Sequence, residues 1–391
     1  MSLSEQTVAI VKATAPAVKQ HSTEITGRFY TIMLDGYPEV RPYFNATHQS
    51  KGTQAKALAD SVVAYALNID KLHNLGPVVG QIVAKHVSLD IKPEHYAIVG
   101  KCLLEAIAEV LGDAVTDEVA AAWGEAYNFL ADLLIGAEEE VYQAKAAEVG
   151  GWRGEREFVI DKIVDESEVI KSFYLKPADG GDLMGFAAGQ YICVVAEVNG
   201  EQIRRNYSLS DAPNNDYYRI SVKREESGAM SSFLHQQCSI GDHLQLLAPS
   251  GEFTAPQSQR PLLLVTGGVG ITPAISIAND IAKHGRKIDF VHAAINSKTH
   301  AFKQHTDQLA EQHEGFNTTY VYSEPLANDQ ANHHGFISQE MISALLPSDK
   351  KVDFLFLGPK PFMQAMRNIA RNLNISDEYV RFEFFGPLEE I

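Results

Sequence analysis

The chain has 391 residues, of which 45% are apolar and 21% charged, an ordinary globular balance but too much length for one ordinary domain. A formal charge of −17 argues against nucleic acid as a partner, because phosphate contacts need concentrated Lys and Arg. No apolar run approaches the roughly 18 to 20 residues that span a bilayer, and the opening MSLSEQTVAIVKATAP lacks the basic and apolar regions of a secretory signal, so a cytoplasmic protein is expected.

Residues 1–147 read as helices. Ser2 with Glu5 suits a capping box, and Val8, Val11, Ala15 and Val18 then recur at helical spacing. The stretches KALADSVVAYALNI, NLGPVVGQIVAKHV, EHYAIVGKCLLEAIAEVL and DEVAAAWGEAYNFLADLLIGAEEEVYQAKAAEV continue the pattern. Pro38, Pro42, Pro77 and Pro93 punctuate it. Alanine-rich helices joined by short turns suit a globin-like packing. Within them His86 ends GQIVAKHV, and neutral imidazole is a common axial ligand of haem iron. One of 14 histidines would by itself be an ordinary surface group, but its surroundings add weight. Gln54 stands upstream at about the separation of distal and proximal positions across a globin pocket. Leu58 follows Gln54 by one helical turn, Phe44 lies in a proline-bounded corner, and Tyr30 sits on an earlier helix.

The composition changes at Gly150-Gly151, and residues 151–257 read as short strands. FVIDKIV, SFYLKP, QYICVVAEV, NYSLSD, YYRISVKR and HLQLLAPSG are bounded by Gly, Pro, Asn and Asp, the pattern of a small antiparallel barrel. Arg205-Asn206-Tyr207-Ser208 falls among them, with Gly189-Gln190-Tyr191 before it and Lys223-Arg224-Glu225, Gly228 and Ser231 after it.

Residues 258–391 alternate between strand and helix. LLLVT, DFVHAA, NTTYVYS and DFLFLG are apolar strands, and ITPAISIANDIAKHG is a helix, so a doubly wound parallel sheet is expected. Gly267-Gly268-Val269-Gly270-Ile271-Thr272 joins the first strand to that helix. Glycines there let backbone approach a pyrophosphate, and the helix start presents free N–H groups. Cys102, Cys193 and Cys238 are far apart and form no Cys-x-x-Cys, so they read as buried thiols.

These motifs and their order resemble the bacterial flavohaemoglobins, which are nitric oxide dioxygenases, along the whole chain. The resemblance implies three domains: an all-α globin, an antiparallel β-barrel for FAD, and an α/β doubly wound nicotinamide domain. It implies haem b on His86, with Tyr30 and Gln54 as the distal pair. Hydroxyl and amide donors there stabilise charge on an oxygen ligand in a dry pocket. Tyr96 and Glu138 are implied behind the proximal ligand, where a carboxylate makes the imidazole more anionic. Lys85 and Glu383 match positions that tune the haem and flavin couples.

The family's Arg-x-Tyr-Ser pattern is matched by Arg205, Tyr207 and Ser208, with Arg as a fork for phosphates and Tyr against the flavin ring. Ala188 stands where the family has a proline before Gly189, and Leu357 where Cys-Gly-Pro has its cysteine. Phe384 replaces a frequent cysteine in the closing Glu383-Phe384-Phe385-Gly386-Pro387, whose aromatics are expected to cover the flavin. The implied activity is conversion of nitric oxide and dioxygen to nitrate by a monomer, with electrons passing from NAD(P)H through FAD to haem. A gas sensor or store with a haem-reducing module, and a general flavin reductase, remain the alternatives.

Overall fold

The structure, a computed structural model, describes residues 3–44, 53–71, 76–383 and 385. Its first part is helical: α1 (Glu5–Gln20), α2 (Ser22–Gly36), a 3-10 turn (Pro38–Tyr43), α3 (Thr53–Leu67), α4 (Gly76–Val87), α5 (Pro93–Leu111) and α6 (Asp117–Ala147). The cap of α1 is Ser4 rather than Ser2, which lies outside the described residues. The helix starts at Glu5, so the Ser4 hydroxyl accepts the Thr7 N–H at 3.0 Å. Val11, Ala15 and Val18 of α1 meet Ile25, Phe29 and Met33 of α2 and Cys102, Leu103, Ala106 and Ile107 of α5 in one buried cluster. Full burial of such side chains stabilises by roughly 1.5–3 kcal/mol each.

The second part begins with an antiparallel sheet. Its strands are β1 (Arg156–Asp165), β2 (Ile170–Pro177), β3 (Tyr191–Val198), β4 (Glu201–Ser208), β5 (Tyr218–Lys223) and β6 (His243–Leu246), with the short helix α7 (Ala229–Gln236) before β6. The order is β4-β3-β6-β1-β2-β5. Just past β4, Leu209 bridges Ile220 of β5, which joins the two edges and closes a barrel. Asn199 and Gly200, with φ of 56° and 81°, turn β3 into β4. Positive φ at both positions is the hairpin geometry that Asn-Gly favours.

A parallel sheet follows: β7 (Leu262–Gly267), helix α8 (Ile271–Ala282), β8 (Ile288–Ala294), α9 (Lys303–Gln312), β9 (Phe316–Tyr322), the two-residue β10 (His333–His334), α10 (Gln339–Leu345), β11 (Asp353–Leu357), α11 (Lys360–Asn372) and β12 (Val380–Phe382). The order is β10-β9-β8-β7-β11-β12. The chain moves outward from β7 in one direction and then returns to its other side at β11. This reversal opens a crevice at the carboxyl ends of β7 and β11, where such sheets take ligands. Helix α8 is buried along nearly its whole length. Leu262, Leu264, Phe290 and Leu357 of the parallel sheet cover it from one side, and Ile170, Ala188 and Phe253 of the barrel join the same cluster.

The chain divides into two compact units. One holds the helical part to Ala146; the other runs from Ala147 and holds both sheets, except Glu201–Arg204 of β4, which group with the first. Among the described residues no helix is long and apolar enough to cross a membrane.

Candidate functional site

In the helical unit, His86 occupies the last turn of α4, with 32% of its side chain exposed. Tyr96 comes from the first turn of α5 and Glu138 from the middle of α6, where it is 2% exposed. One carboxylate oxygen, Glu138 Oε1, accepts from the Tyr96 hydroxyl at 2.5 Å and lies 2.7 Å from His86 Nδ1. The Tyr96 oxygen is itself 2.9 Å from Nδ1. Burial, and then Glu138, push the Tyr96 hydroxyl well above its ordinary pKa, so it stays a proton donor. This network assigns the proton to His86 Nδ1 and directs Nε2 as the imidazole's remaining donor atom. Of the three consecutive glutamates only Glu138 is buried, while Glu139 accepts from Gln143 Nε2 at 3.0 Å on the same helix. Val83, Val87, Ala131, Leu134 and Tyr142 pack around Tyr96 in a cluster of their own.

Tyr30, Phe44 and Leu58 pack instead on the cluster formed by α1, α2 and α5. The Tyr30 and Phe44 rings meet edge to face with centroids 5.7 Å apart. Burial holds the Tyr30 hydroxyl above the ordinary tyrosine pKa. Gln54 lies in the first turn of α3, four residues before Leu58, and its side chain lies outside the described residues. Lys85 is exposed on α4, and its carbonyl accepts from Ser88 Oγ at 2.7 Å.

In the barrel, Tyr191 opens β3, and its ring lies so close to Gly251 that a Cβ there would come within 2.8 Å. The turn before it needs no proline at Ala188. Gln190 Oε1 accepts the Ala187 N–H at 2.9 Å and Gln190 Nε2 donates to Gly251 O at 3.1 Å, so the side chain closes the turn itself. Arg205, Asn206 and Tyr207 are half-buried on β4 and Ser208 is buried. Burial holds the Arg205 guanidinium below its usual pKa and the Tyr207 hydroxyl above it. A diphosphate there would offset the cost of burying that cation. Ser231, in the first turn of α7, accepts the Glu225 N–H at 3.2 Å and donates to Gly228 O at 3.1 Å, which closes the loop that begins at Lys223.

At the crevice of the parallel sheet, Gly268 has φ of 54° and a Cβ on it would meet nothing within 4 Å, so bare backbone borders open space. Gly270 is the opposite case: a Cβ would lie 2.3 Å from Leu357 O, and only glycine lets the turn close against β11. Val269 is half-buried and its carbonyl accepts from Thr272 Oγ1 at 3.0 Å, while Ile271 and Thr272 are buried. Leu357 packs in the apolar cluster beneath α8. Behind the turn, Thr266 Oγ1 is 2.7 Å from His292 Nδ1, and the His292 ring lies 4.5 Å from that of His300. Glu383 is half-buried just past β12 and Phe385 is 41% exposed. Phe384, Gly386 and Pro387 lie outside the described residues.

Asp211 escaped the sequence reading as a functional residue. It takes part in hydrogen bonds to both Ser276 and Asn279 of α8, and its only signal was its place three residues after Ser208.

Comparison with known proteins matches these parts to three families. The globin family covers residues 27–134, the oxidoreductase FAD-binding domain 157–255 and the oxidoreductase NAD-binding domain 264–368. A flavohemoprotein of Burkholderia sp. (strain TH2) is 50% identical over 98% of both chains. One of Pseudomonas aeruginosa is 47% identical, again over 98% of both. The chain belongs to the flavohemoprotein family. A crystal structure of flavohemoglobin from Malassezia yamatoensis, with bound FAD and heme, superposes with a TM-score of 0.85 at 26% identity, covering 99% of this chain and 100% of that one. The FAD/NAD-binding domain of a nitric oxide dioxygenase from Vibrio cholerae matches 60% of this chain and all of its own at 34% identity and a TM-score of 0.56. The chain is thus an oxidoreductase with a globin domain, an antiparallel FAD-binding domain and a parallel-sheet NAD-binding domain, as its sequence implied.

Proposed function

We propose that the chain is a cytoplasmic, monomeric nitric oxide dioxygenase, which converts nitric oxide and dioxygen to nitrate with electrons drawn from NAD(P)H through FAD to haem b. Its domains are 1–147, 151–257 and 258–391. The observation that carries the reading is the Glu138 carboxylate within 2.7 Å of His86 Nδ1. An imidazole with that partner is a stronger donor to iron, a property suited to oxygen activation rather than to storage. The Vibrio cholerae relative, named a nitric oxide dioxygenase, lends further support.

When bound, haem supplies the oxygen-binding redox centre, FAD converts a hydride into single electrons, and the nicotinamide supplies the hydride. The residues position and polarise. His86 would hold the haem iron, while Glu138 and Tyr96 fix its ring and its tautomer. Tyr30, with Gln54, would supply the hydrogen-bond donors beside a haem-bound gas, and Phe44 and Leu58 would keep that side apolar. Tyr191 and Tyr207 would pack against the flavin, Arg205 would take its phosphates, and Asn206, Ser208 and Ser231 would bond its polar groups. The turn formed by Gly267, Gly268, Val269, Gly270, Ile271 and Thr272 would take the nicotinamide dinucleotide against its bare backbone. Phe385, with Phe384, Gly386 and Pro387 outside the described residues, is expected to cover the flavin, and Lys85 and Glu383 to tune the two couples.

The test is nitric oxide consumption by the haem- and FAD-loaded protein with NADH in air, followed with an electrode. Rapid loss with nitrate as product is expected. Intact haem reduction by NADH without nitric oxide loss would overturn the reading.

A further inference from the structure

Helix α8 carries the glycine turn at its start and is joined to the flavin strand by a set of directed polar contacts. Ser276 Oγ donates to the Asp211 carbonyl at 2.6 Å, and Asn279 Nδ2 donates to Asp211 Oδ1 at 2.8 Å. Ser276 is fully buried, and Asn279 is 7% exposed. The two stand three residues apart and so share one face of α8. A buried serine inside a helix usually turns its hydroxyl back onto its own backbone. Ser276 reaches out of its helix instead.

The far side of the contact is equally constrained. Asn279 Oδ1 lies 2.6 Å from His305 Nε2 of α9, so both ends of its amide are engaged. Asp211 Oδ2 accepts from the Tyr217 hydroxyl at 2.9 Å and lies 3.4 Å from Arg219 Nη1. The Arg219 guanidinium in turn sits 5.2 Å from the centre of the Phe302 ring, just before α9. A greasy interface between barrel and parallel sheet would permit sliding. A buried network with its donors and acceptors met has one geometry. Asp211 follows the flavin tetrapeptide by three residues, and Ser276 lies less than two turns from the glycine turn.

We propose that Asp211, with Ser276 and Asn279, is a positioning clamp for hydride transfer, holding the nucleotide helix at a fixed register against the flavin strand. The inference rests on the reading above of Arg205–Ser208 as flavin-binding and 267–272 as nucleotide-binding. Hydride transfer is steep in distance, and a misplacement of about 1 Å costs up to about 100-fold in rate.

Anaerobic stopped-flow reduction of the flavin by NADH, with the full-length holoprotein, tests it. In Ser276→Ala/Asn279→Ala the limiting rate at saturating NADH should fall by at least about tenfold, while the apparent NADH Kd stays within about threefold and FAD content is unchanged. NADH deuterated at the transferred position should show an undiminished isotope effect. Ser276→Thr, which keeps the hydroxyl, should retain the wild-type rate. Should the double variant fold poorly, Asn279→Leu has nearly the same volume, loses the bond to Asp211 and should lower the limiting rate in the same direction. An unchanged limiting rate overturns the clamp. So does a rate that falls only in step with FAD content and melting temperature. A wild-type flavin that NADH does not reduce overturns the underlying reading and the clamp with it, and is told apart because it needs no substitution.

Discussion

At the scale of single residues the helical unit separates two kinds of tyrosine. Tyr96 donates a hydrogen bond to Glu138 within a buried network, and Tyr30 packs edge to face against Phe29 and Phe44 beside an apolar cluster. On the proposed reading the carboxylate of Glu138 makes the His86 imidazole the stronger donor, so Glu138→Gln should keep the shape and lose the push. The expected outcome is an altered ferrous haem spectrum and a fall in nitric oxide turnover of about 10- to 100-fold, the range typical for partners of metal-bound histidine. An unaltered spectrum would mean that Glu138 does not act through the ligand. For Tyr30, burial raises the hydroxyl pKa above its ordinary 10, so the group stays a donor at every physiological pH. Tyr30→Phe should therefore speed oxygen dissociation by about tenfold, the worth of one hydrogen bond near 1–1.5 kcal/mol. In the wild type the same off-rate should stay flat between about pH 6 and about pH 9, and an inflection inside that window would mean that Tyr30 ionises.

At the scale of elements, a buried pair of histidines gives the parallel sheet an acid limit. His292 is fully buried and His300 is 3% exposed. Burial lowers the His300 pKa from 6.5 to about 3 and that of His292 well below 6.5. Well above pH 6.5 neither the folded nor the unfolded histidine is charged, and the pair adds no pH dependence to stability. As pH falls below 6.5 the unfolded chain takes up protons that the folded sheet cannot, so stability falls, by at most roughly 1.4 kcal/mol per pH unit for each histidine. Denaturant unfolding should show this loss beginning near pH 6.5, and His300→Gln should make the slope shallower; an equal slope in the variant would remove His300 from the cause. This pair was invisible in the sequence, because DFVHAA reads as an apolar strand and only register brings His292 beside Thr266. The elements themselves were legible where burial is periodic or continuous, as in α1 and β7. The start of β4 was not: its first residues, Glu201–Arg204, are polar or charged apart from Ile203 and carry no apolar alternation, and only the Asn199-Gly200 turn marks where the strand begins. Likewise β10 is two residues long and carries no pattern.

At the scale of the molecule, the order of three cofactor-binding parts was legible because each carries its own chemistry: an imidazole with a distal partner, an Arg-x-Tyr-Ser strand, a glycine turn. What joins barrel to parallel sheet was not, since Asp211, Ser276 and Asn279 are ordinary polar residues until the fold brings them together. Both Arg205–Ser208 and the glycine turn belong to the second unit, and His86 belongs to the first. Hydride transfer should therefore survive damage to the haem ligand. In full-length His86→Ala, NADH-driven reduction of ferricyanide should remain within about twofold of wild type, because a soluble acceptor takes electrons at the flavin. Nitric oxide consumption should fall by at least about 100-fold, because the proposed iron ligand is gone. The pair of assays on one variant separates the dioxygenase from a general flavin reductase. Nitric oxide loss that persists with the ligand gone would move the chemistry to the flavin, and the network of Glu138 and Tyr96 would then be only a packing device.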